Sequence, residues 1–524
     1  MNRATRHTLS EVGTISTEEA RSRWQLQQTR IQRSLGRPGL ALRLAPPGSP
    51  QYRLAKRLLG SLPSNPTSAT WLPRLNRTWV PPQPPFLPSG VLWRAIGDSP
   101  ELIDETNVLV DAASEYTWVF PVLSHDMQSG PNGLIELVAD APEVDVLYCD
   151  ESAPGFENLT PLAPGRHSSL SYQQLGRSVL IRRDAWLRAG GLERSLGEAA
   201  IADLLLRLIE SGASFARSDV ILAWPQAPAA IDPRATEQAL RRRGVTATVN
   251  HQNERCLDWR VALPATAPRV DILIPTRDRL DLLRQCIESI RDNTEYTNYQ
   301  IVVLDNDSSD EATLGYLQNF AVTKCPGAFN YASIINRGVA ASSADVIVTL
   351  NNDVIITDPT WLSTLVGYAT LFDVGIAGPR LVNGDGVSDH DGITIAPYPQ
   401  HLQRGVNYGW NDDFVHAIRN VAAVTGACQV FERSKWNEIG GMDETLAVTF
   451  NDVDVCLRMN AAGYETLFTP NVELVHIGKA SRGSNEALDD HYRFIQYWDI
   501  GGTFVDEFAP ARLELIGARY SLRS

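Results

Sequence analysis

The residues of this chain best placed to do chemistry stand at the end of an apolar run. Residues 345–353 read DVIVTLNND, a stretch rich in β-branched side chains that stops at two amides and a carboxylate. The run has the pattern of a strand buried on both faces. Open parallel α/β sheets hold their ligands beyond the carboxyl ends of the strands, so Asp353 stands where a polar ligand or a metal would be held. Asn and Asp are also ordinary turn residues, and LNND taken alone fits a capped surface turn better.

Two further clusters of this kind lie upstream. Residues 270–274 (VDILI) form a buried strand that ends in the turn Pro275, Thr276, Arg277 and Asp278. Residues 300–304 (QIVVL) form the next, ending in Asp305, Asn306, Asp307, Ser308, Ser309 and Asp310. Between them Leu283, Cys286, Ile287 and Ile290 recur at helical spacing, with Asp281, Arg284, Glu288 and Arg291 on the other side. Helices are expected over 311–320 and 331–342, with Asp307 and Asp310 in capping positions. Strands alternating with helices imply right-handed crossovers and a parallel sheet. PTRD, DNDSSD and NND are thereby delivered to one sheet edge.

Composition bounds what such an edge serves. The 524 residues include 47 Lys and Arg against 61 Asp and Glu, a net charge of -14, and 43% are hydrophobic. That is enough material for two or three cored domains. The acidic balance argues against a nucleic-acid partner but leaves room for a local basic phosphate site. Cys149, Cys256, Cys286, Cys325, Cys428 and Cys456 are scattered without a CxxC pair, as expected in a reducing cytoplasm. No apolar run has the length of a membrane span, and MNRATRHTLSEVG lacks the apolar core of a signal peptide, so a soluble protein, or one peripheral at the inner face of the membrane, is expected.

Residues 1–85 are uneven. A helix is expected over 18–35, with Ala20, Trp24, Ile31 and Leu35 near one face, followed by proline-rich stretches at 37–50 and 79–88. A folded unit is expected to begin near Phe86. Its segments recur later: YTWVFPVLSHDMQSGPNGL (116–134) aligns with ADVIVTLNNDVIITDPTWL (344–362), and 186–212 aligns with 436–463 across one single-residue gap. Two blocks in the same order at nearly the same offset indicate a duplicated domain. In the later copy they present Asn351, Asn352 and Asp353, then Asn451 and Asp452. In the earlier copy the matches are Ser124, His125 and Asp126, then Ala200 and Ile201. A carboxylate that moves protons or binds metal cannot become an aliphatic side chain and still work. The earlier copy also lacks a clear opening strand. The expected organisation is therefore an extension over 1–85, a truncated, catalytically dead copy over 86–233, a connector over 234–269, the active domain over 270–490 and a tail over 491–524 packing on it.

The ordered set PTRDRLDLLRQCIESI, VLDNDSSDEATLGYL, FNYASIINRG, LNNDV, VTGACQVFERS, GGMDETLAVTFNDVDVCLRMNAAGY and ELVHIGKASRG resembles the inverting family-2 glycosyltransferases. The likeness is greatest to the bacterial subgroup of O-antigen and cell-surface polysaccharide synthesis, in which two such domains are often fused. It covers 270–483 strongly and 86–233 weakly. It implies a GT-A fold, an α/β mostly parallel open sheet flanked by helices. It also implies a nucleotide-sugar donor, a glycan or lipid-linked glycan acceptor, and a divalent cation, Mn or Mg, since oxygen ligands suit those ions.

The resemblance assigns roles residue by residue. Asp452 matches the base that takes the acceptor's proton. Asp353 resembles the last carboxylate of the family's DxD metal motif, with Asn351 where the first Asp usually stands and Asn352 between them, and His476 resembles the histidine that completes coordination. Pro275, Thr276 and Arg277 match the segment lining base and ribose, and Asp305 the carboxylate that receives the base. Lys479, Ser481 and Arg482 would hold the diphosphate. Thr425, Gly426 and Ala427 match the segment beneath the acceptor, while His390, His401 and Trp410 lie where acceptor specificity resides. Asp454 persists in the dead copy as Asp203, which favours a structural role. Two rivals keep part of the pattern: an inactive sugar-binding scaffold, and a nucleotidyltransferase, which would want a glycine-rich basic turn after its first strand where this chain has PTRDR. A Rossmann oxidoreductase fails for lack of GxGxxG.

Overall fold

The computed structural model describes residues 91–522 apart from 97–102, 105–106, 109, 112–116, 124–126, 130–142, 154–155, 160–164, 173–178, 226–230, 254–255, 396–397, 403–415, 479–487, 509–512 and 517–518. The helix and proline-rich stretches expected within 1–85 lie outside the described residues, as do Ser124, His125, Asp126, Trp410, Lys479, Ser481 and Arg482.

The chain builds two sheets from a shared plan. The earlier one contains β1 (Val91–Ile96), β2 (Trp118–Leu123), β3 (Met127–Ser129), β4 (Val146–Ala153), β5 (Val179–Arg182) and β6 (Phe215–Pro225), in the spatial order β1-β2-β5-β4-β6-β3. A hairpin follows, of β7 (Ala247–His251) and β8 (Leu257–Val261). The later sheet contains β9 (Val270–Thr276), β10 (Tyr299–Asp305), β11 (Ala321–Lys324), β12 (Val346–Leu350), β13 (Val354–Ile355), β14 (Val374–Val382), β15 (Ser388–His390), β16 (Cys428–Glu432) and β17 (Glu465–His476). Its path runs β11-β10-β9-β12-β16-β14-β17-β13, with β15 pairing β14. From β9 onward this repeats the order of the earlier sheet, strand for strand. The senses agree too: β1·β2 and β9·β12 are parallel, β2·β5 and β12·β16 antiparallel, β4·β6 and β14·β17 parallel, β3·β6 and β13·β17 antiparallel.

One expectation is corrected. The earlier unit does have an opening strand, β1, in parallel register with β2 from Val91↔Trp118 to Ile96↔Leu123. Its VLWRAI pattern breaks an apolar run with Arg94 directly after a proline-rich segment, which hides it in the sequence. The difference between the sheets lies in the next stretch. Residues 97–117 separate β1 from β2, whereas 277–345, about three times as much chain, separate β9 from β12 and supply β10 and β11.

The cores repeat as well. In each unit a buried tryptophan, Trp186 or Trp436, precedes two glycines at positive φ, and an asparagine clamps the residue after them. Asn107 Nδ2 donates to Leu192 O at 2.9 Å and accepts Leu192 N–H; Asn336 Nδ2 donates to Met442 O at 2.8 Å and accepts Met442 N–H. A side chain at Gly441 would meet Asn336 and the Trp436 ring below 3.0 Å, so both conformation and space require glycine there. The helices Ala200–Glu210 and Asn451–Ala461 then follow, each 11 residues long and each with an i,i+4 bond from Arg to Asp, Arg207 to Asp203 and Arg458 to Asp454.

Residues 234–269 fold rather than span. They hold most of the helix Pro233–Arg242, whose N-cap Asp232 accepts from Arg234 N, and the β7–β8 hairpin. The helix Leu488–Tyr497 and the hairpin Leu513–Ile516 and Arg519–Leu522 follow the later sheet in the same sequence. Trp259 on β8 is fully buried, and Tyr368 Oη donates to its carbonyl at 2.6 Å.

A buried polar clasp joins the units. Asn420 Oδ1 accepts from the backbone N–H of His167 and of Ser168, each at 3.0 Å, while Asn420 N donates to Ser168 Oγ at 2.8 Å. His167 Nε2 lies 3.3 Å from Asp373 Oδ1, and its ring stacks on Trp259. Replacing Asn420 by Ala orphans two buried N–H donors, each costing about 1–3 kcal/mol. A loss of about 2 kcal/mol or more is expected in urea unfolding, together with earlier proteolytic separation of the units.

Candidate active site

Three parallel strands bring the polar clusters together as the alternation requires. Thr276 and Asp305 are register partners at the ends of β9 and β10, and β12, buried along its whole length, ends at Asn351 beside them. Thr276 is 4% exposed, Pro275 half-buried and Arg277 exposed. Asp305 is 1% exposed, with Oδ1 accepting from Ser308 N at 3.0 Å and Oδ2 held by Lys324 Nζ at 2.5 Å. Burial opposes its ionisation, but Lys324 and Ser308 outweigh it and hold the carboxyl below the ordinary range. Lys324 is a residue that pattern reading missed. It pairs with Asp305 in the β10–β11 register, so the end of the VTK strand carried the only signal. Asp310 caps the next helix through Thr313 N, as expected, but Asp307 accepts instead from Gly327 N at φ +60.

The NND turn is the junction of the site. Asn352 Nδ2 donates to Thr276 Oγ1 at 3.2 Å, which ties the turn to the β9 side. Asn351 N donates to Ala427 O at 3.0 Å, which ties it to the TGA segment. The next residue back, Gly426, donates its N–H to Asp452 Oδ2 at 2.8 Å and accepts from Tyr331 Oη at 2.7 Å. One loop thus spans from the NND turn to Asp452. Thr425 is buried, with its hydroxyl turned onto Ala427 N and its own N–H on His390 Nε2. It shapes the segment from below rather than opening onto it.

Asp452 is the second residue of its helix. Phe450 takes a left-handed conformation at the N-cap, and Asp452 and Asp454 place negative charge at the helix's positive end. Asp452 Oδ1 accepts from Val453 N at 2.9 Å, so both carboxylate oxygens are oriented by backbone donors. Asn451 is buried and donates to Leu446 O. Asp454 is fully buried against Arg458 Nε at 2.8 Å and Trp498 Nε1 at 3.0 Å, and burial raises its pKa. A Cβ added at Gly426 would stand 3.1 Å from Asp452 Cβ and 3.5 Å from Oδ2. Gly426→Ala is therefore expected to shift the carboxylate by a few tenths of an ångström and to slow turnover by about tenfold to a hundredfold while nucleotide affinity holds, measured by steady-state kinetics and by titration.

Asp353 and His476 meet at the far edge. The β13–β17 pair sets Val354 opposite His476, and Ile477 N donates to Asp353 O. His476 Nε2 is 3.3 Å from Asp353 Oδ1, an ion-pair contact without a formed hydrogen bond, and Oδ1 is buried with no hydrogen-bond donor. On the other side of the ring, Nδ1 is 2.7 Å from Asp389 Oδ2. Burial would lower the His476 pKa, but Asp353 and Asp389 overcome it and raise it to about 9. Among the described residues no group of three or more His, Cys, Asp and Glu forms a metal cluster. The orphaned Asp353 oxygen facing an imidazole nitrogen nevertheless fits a cation bound through two protein ligands, the pattern for ions that take their remaining oxygens from phosphates and water. In the earlier unit the residue opposite Met127 in the equivalent register is Pro225, which cannot ligate.

His390 and His401 come together beneath Thr425, Nδ1 to Nδ1 at 3.0 Å. Burial and the neighbouring His401 hold His390 well below its ordinary pKa. Cys286, Cys325, Cys428 and Cys456 are buried and form no disulfide, and no helix among the described residues is long and apolar enough to cross a membrane.

With this geometry in place, the likenesses to known proteins fall into line. The "O-antigen biosynthesis protein RfbC" of Myxococcus xanthus is 29% identical over 388 residues, which are 67% of this chain and 30% of that protein. The "Uncharacterized protein y4gI" of Sinorhizobium fredii is 36% identical over 240 residues, 43% of this chain and 26% of that protein. The chain thus spans between a quarter and a third of the length of these two relatives. Among solved structures, GalNAc-T7 with UDP, GalNAc and Mn2+ superposes with a TM-score of 0.38 at 16% identity, over 48% of this chain and 51% of that one. Residues 271–434, which run from β9 through the NND turn and the TGA segment to the end of β16, match the profile of Glycosyl transferase family 2.

Proposed function

We propose that residues 270–490 form the active domain of an inverting, nucleotide-sugar-dependent glycosyltransferase that extends a surface polysaccharide or lipid-linked glycan, and that residues 86–233 are a degenerate, non-catalytic copy. The observation that carries this reading is the unbroken set of contacts from Thr276 through Asn352 to Asp353 and His476, and from Asn351 through Ala427 and Gly426 to Asp452. A nucleotide seat, a diphosphate seat and a base are strung along one sheet edge.

In the reaction Asp452 accepts the proton of an acceptor hydroxyl as that oxygen attacks the anomeric carbon from the face opposite the nucleoside diphosphate. The new C–O bond forms while the sugar–diphosphate bond breaks with its electron pair on the diphosphate. Asp353 and His476 would hold a divalent cation, which would neutralise the charge gathering on that leaving group. Pro275, Thr276, Arg277 and Asp305, with Lys324 beside it, line the base and ribose. Gly426 and the neighbouring Thr425 set the floor on which the acceptor approaches Asp452.

Support for the dead copy comes from the same comparison of positions. Ile201, 1% exposed, occupies the core at the place of Asp452, and Pro225 stands at the place of His476. The short 97–117 link has no room for the β10–β11 edge that carries Asp305 and Lys324. The likeness to an O-antigen biosynthesis protein supports a polysaccharide acceptor. Thermal-shift titration of the whole chain with UDP, GDP and dTDP, each with MnCl2, tests the reading. One nucleotide should raise the melting temperature, and Asp353→Ala should remove that rise. Indifference to all three would overturn it.

A further inference from the structure

We infer that Asp389 is a positioning residue of the cation site: it fixes the His476 ring so that Nε2, and not Nδ1, is presented to Asp353. The inference rests on the proposed function and extends it to a residue that neither the pattern of the sequence nor the family resemblance singles out.

An imidazole can turn its two nitrogens about a soft terminal torsion, and either nitrogen can bind a cation. In this structure the choice is already made. Asp389 Oδ2 lies 2.7 Å from Nδ1, while Nε2 points at the orphaned Asp353 Oδ1 at 3.3 Å. A carboxylate on the far nitrogen fixes tautomer and ring plane together and makes the near nitrogen a better donor to a metal.

Asp389 stands on a short strand whose neighbouring residues are buried and hydrogen-bonded. It is the middle residue of β15, and both neighbours are buried. His390 is fully buried with Nε2 on Thr425 N at 3.3 Å. Ser388 Oγ donates to Asp391 Oδ2 at 2.5 Å, and Asp391, also fully buried, is bound by Arg380 Nε at 2.7 Å. Arg419 NH2 donates to Asp391 O at 2.7 Å. Burying the Arg380–Asp391 pair carries a desolvation cost that a site needing only stability could avoid with apolar residues. What the pair secures is the backbone from which Asp389 reaches His476. The same short strand supports the TGA segment through His390, so the cation end and the base end of the site share one support.

The test is Mn2+ binding to the whole nucleotide-free chain, followed by the EPR signal of free Mn2+ during titration with MnCl2. Asp389→Ala should weaken affinity about 10- to 100-fold. Asp389→Asn, which keeps volume and an acceptor but not charge, should recover part of the loss and keeps the test open where the alanine variant does not fold. In a His476→Ala background, Asp389→Ala should cause no further loss, because its effect passes through the ring. Saturable binding by the wild type that falls in Asp353→Ala but is unchanged in Asp389→Ala would overturn this inference alone, as would an equal loss with and without His476. No saturable binding by the wild type would remove the cation site from the proposed function and this inference with it.

Discussion

Asp452→Asn is expected to lower the single-turnover rate of sugar transfer by about 10²- to 10⁴-fold, the range for removal of a general base, while donor affinity stays within about twofold. The substitution is nearly isosteric. An amide oxygen can still accept the Gly426 N–H that the carboxylate accepts at 2.8 Å, so the segment beneath the acceptor keeps its place. What is lost is the capacity to take a proton, together with the Val453 N–H bond to the other oxygen, which an amide nitrogen cannot accept. Asp454 supplies the contrast from the same helix turn. Its carboxylate is consumed by Arg458 and Trp498 in a fully buried setting, so Asp454→Asn is expected to register as lost stability rather than as a lost chemical step. A loss of donor binding in Asp452→Asn equal to the loss of rate would assign Asp452 to donor recognition instead.

The second large effect concerns His476 in the metal-free protein. Its folded-state pKa is raised to about 9, from an ordinary value near 6.5, because Asp353 and Asp389 stabilise the imidazolium more than burial penalises it. A raised pKa contributes stability that is complete below about pH 6.5 and is lost as pH rises through about 9. The contribution is at most about 3 kcal/mol, from 1.36 kcal/mol per pKa unit. Urea unfolding in EDTA at pH 6 and at pH 9.5 should therefore show the wild type losing up to about 3 kcal/mol more than His476→Ala. Equal losses would mean that the histidine is not charged between its two carboxylates. The same titration implies that cation binding strengthens as pH rises, since the imidazole must release its proton to ligate.

Much of the later unit was legible because each level of its sequence agrees with the next. VDILI, QIVVL and VIVTL are apolar runs that end in polar turns, and they became β9, β10 and β12 with the three clusters at one edge. The joining of Asp353 to His476 and of Gly426 to Asp452 was reachable only through the family resemblance, since 122 residues stand between the first pair. Three features could not be read. β1 hides behind prolines and Arg94, and a strand of six residues with one charge gives little periodicity. The helix and hairpin within 234–269 carry an Arg-rich, weakly apolar pattern whose order comes from packing, with Ala235, Ala239 and Trp259 fully buried. Asp389 sits in GVSDHDG, which has the composition of a surface turn, and its partner lies 87 residues away across two strands. Equally, the proline that stands at the place of His476 in the earlier unit emerged from strand register, Pro225 opposite Met127, and not from aligned letters.

The measurement that bears most directly on the central claim is donor hydrolysis by the whole chain across UDP-, GDP- and dTDP-sugars, with MnCl2 or with EDTA, for wild type and Asp452→Asn. Slow turnover of one nucleotide class that requires the cation and falls at least a hundredfold in the variant is the expected result. Turnover that survives both EDTA and the loss of Asp452, or nucleotide-sugar binding that never leads to cleavage even when glycan acceptors are added, would contradict it and leave the fold serving as a sugar-binding scaffold.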